Sequence, residues 1–360
     1  MGLLRLVLAA GVVSGHITDH DLLAGGLGSV QCFYVISGFF IAMILSEKYV
    51  KAGDRMLFYS NRLLRIFSMY WIFLALSAAV AVVTLLQSHT GPLVIWSDHW
   101  SRLAPGNIVY LIFTSVFLVG QEATLFLNLG DHGLTWISNF RHGQTPWVME
   151  FMFIGQAWTL SVELMFYLLA PFIVRRSAWT ISAVIAASVA ARAIARAFGL
   201  WDDPWSYRFF PFEIAFFLAG ALGYRAYVMV RDKPVGITSR LFAYGVFVVV
   251  LLFPLYKGAL VFSPGRLFLY GYVIVSVPLL FRITRNNRWD RWLGEFSYPL
   301  YLCHYAVFNI CQLSFRLARY PILRACIAFA ISMILSGVVV KYIDVPIDRF
   351  RQLRLRRTRS

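Results

Sequence analysis

The chain has 360 residues, 59% of them hydrophobic and 17% aromatic, and 33 Lys and Arg against 17 Asp and Glu give it a formal charge of +16. A mean hydropathy of +0.68 leaves too little polar surface for a water-soluble domain, so the bilayer is the expected solvent. The apolar runs are continuous rather than alternating, which excludes a β-barrel and leaves helices, the other fold that satisfies its backbone in lipid.

Runs of about 20 mostly apolar residues predict membrane spans. They fall near 3–20, 27–46, 66–87, 150–174, 178–199, 208–228, 241–257, 266–283, 293–313 and 321–343. The expected fold is therefore all-α and polytopic, with ten spans and both termini on one side. With the termini cytoplasmic, the inward segments carry 23 of the 33 Lys and Arg residues, as the positive-inside rule requires. The first run lacks a small-x-small cleavage site and reads as a retained span rather than a leader. The stretch "NIVYLIFTSVFLV", Asn107 to Val119, is apolar enough to cross. A full crossing there would turn every later basic segment outward, so 88–149 is expected outside, with a re-entrant or interfacial helix near 107–129. The expected organisation is one membrane domain, 1–345, and a basic cytoplasmic tail, 346–360. The basic residues lie between apolar runs, pointing to membrane lipids rather than nucleic acid as their partner. Cys32, Cys303, Cys311 and Cys326 show no CxxC or metal spacing and read as packing residues.

Polar residues inside the spans are costly, so each is a functional candidate. Arg5 and His16 stand eleven positions apart, three turns and about 16 Å along one helix face. Arg62 and Arg65, at i and i+3, share a face where guanidinium forks suit phosphate, although plain snorkelling accounts for one arginine alone. Glu163 sits in the apolar run "AWTLSVELMFYLLAP" behind Trp158, and a carboxylate there must be paired, protonated or solvent-lined. Arg192 and Arg196 form an i, i+4 pair that either snorkels or lines a cavity. Ser297, Tyr301 and His304 make one helical stripe at i, i+4 and i+7. His89, His99, His132 and His142 lack HxxxH or HxH spacing, so no metal site is expected.

In order along the chain, these pieces resemble the acyltransferase-3 family of bacterial membrane O-acyltransferases. Arg5-x10-His16 is similar to the family's first-helix motif. "GSVQCFYVISGFFI", with Ser37 and Gly38, resembles its FFxxSGF signature, and Arg62-x-x-Arg65 its RxxR motif. "WTLSVELMFYLLAP", "FSYPLYLCH" and "YIDVP" resemble its W-S-L-S-x-E, SYxxYLxH and Y-I-E-x-P blocks. Gln31 replaces an acidic residue, Tyr34 the second Phe, Cys303 a Trp and Asp344 a Glu.

The resemblance implies transfer of an acyl group, commonly acetyl, from cytoplasmic acyl-CoA to a hydroxyl of a surface or exported glycan or glycolipid, in a bacterial inner membrane. No bound cofactor is implied; acyl-CoA is a co-substrate. Arg62 and Arg65 are then expected to hold the phosphates, with Arg5 lining the channel. His16 is expected to act as general base or acyl relay, with Glu163 orienting it, while Ser37, Trp158, Tyr301 and His304 shape the pocket. A transporter or flippase for a lipid-linked saccharide is the competing reading, because intramembrane Arg, Glu and His also suit a substrate path. Acyl-CoA binding by the purified chain discriminates the two.

Overall fold

The computed structural model describes residues 1–18, 22–258, 263–314, 317 and 319–357. The end of the first expected span (19–20) and of the basic tail (358–360) lie outside the described residues. The chain is a helical bundle. Its main helices are α1 (Gly2–Ile17), α2 (Gly25–Glu47), α3 (Arg55–Ser88), α4 (Pro92–His99), α5 (Pro105–Phe117), α6 (Trp158–Ile173), α7 (Ala178–Ala197) and α8 (Phe210–Val230). They continue with α9 (Ile237–Leu251), α10 (Pro264–Thr284), α11 (Arg288–Glu295), α12 (Ser297–Gln312), α13 (Pro321–Val339) and α14 (Val345–Arg357). Among the described residues seven helical stretches are long and apolar enough to cross a membrane: those holding α2, α3, α6, α7, α8, α10 and α13, while α1, α5 and α9 are shorter apolar helices. Much of the apolar surface faces outward. On α7 only Ile181 and Ser188 are buried, as expected of a helix whose solvent is lipid.

α2 is the hub, packing against α1, α6, α8 and α10, while α12 packs against α1, α3 and α13. The α2–α8 approach depends on two glycines. A Cβ on Gly38 would meet the Phe217 carbonyl oxygen at 1.8 Å, and one on Gly220 would meet the Val35 carbonyl oxygen at 1.9 Å. The Gly of the "SGF" stretch is thus fixed by backbone contact, and the adjacent Ser37 is carried inward.

α1 gains its N-terminal cap from elsewhere in the chain. Asp290 on α11 accepts from the N–H groups of Gly2 (2.8 Å) and Leu3 (3.0 Å) and from the Met1 ammonium (2.8 Å). Partial burial opposes its ionisation, but the Leu3 N–H, the ammonium and the Gly2 N–H outweigh it and hold the Asp290 carboxyl below its ordinary value. α3 has 34 residues and rises about 51 Å, against about 30 Å of hydrocarbon, so it is longer than one upright crossing requires; Arg62 and Arg65 lie in its first three turns.

The helix expected near 107–129 is corrected. α5 ends at Phe117, and its 13 residues rise only about 20 Å. Leu118 and Gly120 turn the chain with φ of 64° and 81°. A 3-10 turn, Glu122–Phe126, then leads into an antiparallel hairpin, β1 (Leu127–Gly130) and β2 (Gly133–Trp136). The hairpin loop is Asp131-His132 between glycines, and Gly133 sits at φ 121°, open to glycine without strain. The expected basic tail is helical to Arg357 and lies along α3, with Arg354 donating to Asn61 Oδ1 and Ser60 Oγ at 3.0 Å each.

Candidate active site

A cavity of about 450 Å³ is lined at one end by Arg5 of α1 and by Asp348, Arg351 and Gln352 of α14, and it runs between α2, α3, α6 and α12. Arg5, Ser37, Arg62, Arg65, Glu163, Ser297 and Tyr301 all line it. Residues from five helices and up to 296 positions apart in sequence therefore share one wall, for a simple reason. A polar group on an apolar helix is stable only where it faces another polar group or water, and the cavity supplies both.

The mouth is cationic. Arg5, Lys48, Arg62, Arg65, Arg291 and Arg351 line the cavity together with only two carboxylates, Glu163 and Asp348. Arg62 is 9% exposed, and its Nε is buried without a hydrogen-bond partner. Among the described residues the side chains of Arg5, Arg62 and Arg65 form no hydrogen bond or salt bridge. Guanidinium groups so placed are strong donors to an anionic ligand, since phosphate oxygens match their donor fork.

Further in, Glu163 is held from two helices. Ser37 Oγ donates to Glu163 Oε1 at 2.5 Å, and Tyr167 OH, one turn along α6, donates to the same oxygen at 2.7 Å. The carboxylate answers the arginine charges across the cavity. Tyr34, which stands where the resembling motif has Phe, also lines the wall, and its hydroxyl is buried without a partner.

At the inner end Tyr301 separates the cavity from a histidine pair. Tyr301 OH donates to the Gln156 carbonyl and accepts from Thr159 Oγ1 (2.7 Å). Its own carbonyl accepts from His304 Nδ1 at 2.8 Å, so the proton of neutral His304 is on Nδ1. His304 Nε2 then accepts from His16 Nδ1 at 2.9 Å. That chain fixes the proton of neutral His16 on Nδ1 and its lone pair on Nε2. The two rings lie parallel, with centroids 5.1 Å apart, and Tyr305 packs against both. His304 is 1% exposed, whereas His16 is only half-buried. The result is an oriented imidazole: His304 holds the Nδ1 side of His16, which is half-buried.

His16 and His304 are thus brought together, and Arg5, Arg62, Arg65, Ser37 and Glu163 are brought together one layer away. Glu163 is bonded to Ser37 and Tyr167, and His304 is the ring partner of His16. Trp158 lies beside these groups, edge-on to Tyr207 (4.9 Å) and under the Arg208 guanidinium (4.5 Å), which is clamped by Asp203 at 2.6 and 3.0 Å. Ser297 donates to the Gly294 carbonyl (2.7 Å) where α11 meets α12.

Sequence reasoning missed Glu213. It is fully buried and receives Gln31 Nε2 at 3.1 Å and Arg192 Nη2 at 2.8 Å. Arg192 therefore turns into the bundle, and a carboxylate does stand beside position 31, supplied by α8. The rule that flagged Glu163 applies equally to "PFEIAFF", but Glu213 lies in the first turn of its helix, where an acidic residue is unremarkable. Arg291 and Arg351 were read only as topogenic charges.

The acyltransferase-3 family model, an acyltransferase domain, matches residues 1–341 of the chain. No curated protein and no solved structure matches it.

Proposed function

The chain belongs to the acyltransferase-3 family, and from that premise we propose that it is a bacterial plasma-membrane O-acyltransferase that moves an acyl group, acetyl in the simplest case, from cytoplasmic acyl-CoA to a hydroxyl of a surface or exported glycan or glycolipid. The proposed topology has ten spans with both termini cytoplasmic, which turns the arginine-lined mouth to the compartment that holds acyl-CoA. One observation carries the reading. Arg5, Arg62 and Arg65, whose side chains have no hydrogen-bond or salt-bridge partner among the described residues, stand at one end of a cavity, and an oriented histidine stands past its other end.

The nucleotide end of the donor binds at Arg62 and Arg65, and the thin pantetheine arm passes Arg5 and Glu163 toward Tyr301. His16 Nε2 takes the proton of the acceptor hydroxyl as that oxygen attacks the thioester carbonyl. The tetrahedral intermediate collapses, the C–S bond breaks, and the proton on His16 passes to the departing CoA sulfur. His304 keeps its hydrogen bond to His16 Nδ1–H throughout, stabilising the imidazolium that forms. Glu163 balances the arginine charge, and Ser37 and Tyr167 hold it in place.

His16→Ala should abolish glycan O-acylation in cells at unchanged protein level, measured by mass spectrometry of the glycan. Retained acylation would sink the assignment. Binding of acyl-CoA to the purified chain, lost in the Arg62→Ala/Arg65→Ala double variant, separates this reading from a saccharide transporter.

A further inference from the structure

α14 lies beyond the residues that the family model matches, 1–341, yet it forms part of the cavity wall. Asp348, Arg351 and Gln352 all line the mouth. A five-residue π-helical turn, Val340–Asp344, joins α13 to α14, and Arg354 ties α14 to Asn61 and Ser60 on α3. Arg351 is the residue this docking delivers. It is 4% exposed, Asp348 Oδ1 accepts from its Nη1 at 3.1 Å, and its Nε is buried without a partner. Arg62, on the facing helix, has the same property: a buried Nε with no partner, on the same cavity. Burying a guanidinium donor and leaving it unpaired is costly, and two facing one mouth point to an anion that bonds to both.

We propose that α14 is the closing wall of a phosphate site, in which Arg351 and Arg62 bind the same phosphate-bearing end of the donor, with Arg65 and Arg291 beside them. This rests on the acyl-CoA reading above and extends it. Six cationic side chains line the cavity against two carboxylates, Glu163 and Asp348, with Asp344 and Glu295 close enough to act on Arg65, so the mouth keeps an excess of positive charge. A nucleotide end with one phosphomonoester and one diphosphate carries about four negative charges at neutral pH, the sign of ligand that this excess favours. The bond from Asp348 holds the Arg351 guanidinium in one orientation at the mouth, and α14 becomes a specificity element rather than a solvated tail.

The test uses the full-length chain in nanodiscs and reads binding of CoA, pantetheine and inorganic pyrophosphate. Arg351→Gln should weaken CoA and pyrophosphate by roughly tenfold or more, the scale of one charge-assisted hydrogen bond, and leave pantetheine unchanged. Arg351→Lys, which keeps the charge and loses the fork, should recover part of the loss, and it serves also where the Gln variant does not fold. Equal weakening of CoA and pantetheine, or no weakening of either anion, would overturn the proposal. If the wild-type chain binds pyrophosphate through Arg351 but no CoA, the anion site stands and the donor assignment falls. If it binds CoA indifferently to Arg351, the donor assignment stands and the role of α14 falls.

Discussion

At the scale of single residues, the proposed chemistry depends on what holds the second nitrogen of His16, which is His304. Arg5 and His16 were visible from spacing alone, because α1 is one unbroken helix and eleven residues bring the face round again. That His304 is the partner was not visible, since 288 residues separate the two and only packing of α1 against α12 joins them. A prediction follows at this scale. His304→Phe removes the acceptor for Nδ1–H and frees the other tautomer. Acyl transfer should then fall by about 10² or more in kcat with the KM for acyl-CoA unchanged, and His304→Gln, which can still accept, should restore part of it. A Phe variant with full kcat would remove His304 from the machinery. Gln31 shows the same limit in reverse. It stands where the motif has an acidic residue, yet the carboxylate of Glu213 reaches the position from α8.

At the scale of elements, the helices were legible and their ends were not. Each apolar run contains a helix, because hydrophobic length is a property of the run itself. The hairpin at 127–136 was missed because its strands are only four residues each, too short to display alternation against the apolar stretch before them. Helix ends also take partners from afar. The cap on α1 comes from Asp290 of α11, and it holds the register of the helix that bears both Arg5 and His16. Asp290→Ala should cost about 1 kcal/mol of stability at neutral pH, read as a lowered Tm in detergent. The sign with pH follows from the depressed carboxyl. Its stabilisation is complete above the ordinary carboxylate value and is lost as pH falls through the lower folded value, so the Tm gap between wild type and variant should close on acidification. A gap constant with pH would mean that the carboxylate charge contributes nothing.

At the scale of the whole molecule, the arrangement is a bundle with one cationic mouth. The start of α1, the short helix α11, the first turns of α3 and α14 all gather there, joined by the Asp290 and Arg354 contacts. The proposed ten-span topology places that mouth in the cytoplasm and the hairpin outside. Asp131, at the hairpin tip with its side chain 90% exposed, offers the check. In a chain whose four natural cysteines are replaced by Ala or Ser, Asp131→Cys should react with a membrane-impermeant maleimide in intact cells (spheroplasts where an outer membrane intervenes). Reaction only after permeabilisation would reverse the orientation.

By itself the sequence determined the solvent, the helical class, most of the helices and the identity of the ionisable residues that cannot be idle, because hydropathy and the cost of a charge in lipid are local properties. The order of motifs also determined the family. Only the tertiary structure decided which of those residues face one another: His304 behind His16, Ser37 and Tyr167 on Glu163, Glu213 beside Gln31, Arg351 across from Arg62. Apart from Tyr167 and Glu163, which stand one turn apart on α6, each of these pairings joins different helices, and helical periodicity gives the face of a helix but not the neighbour that face will meet.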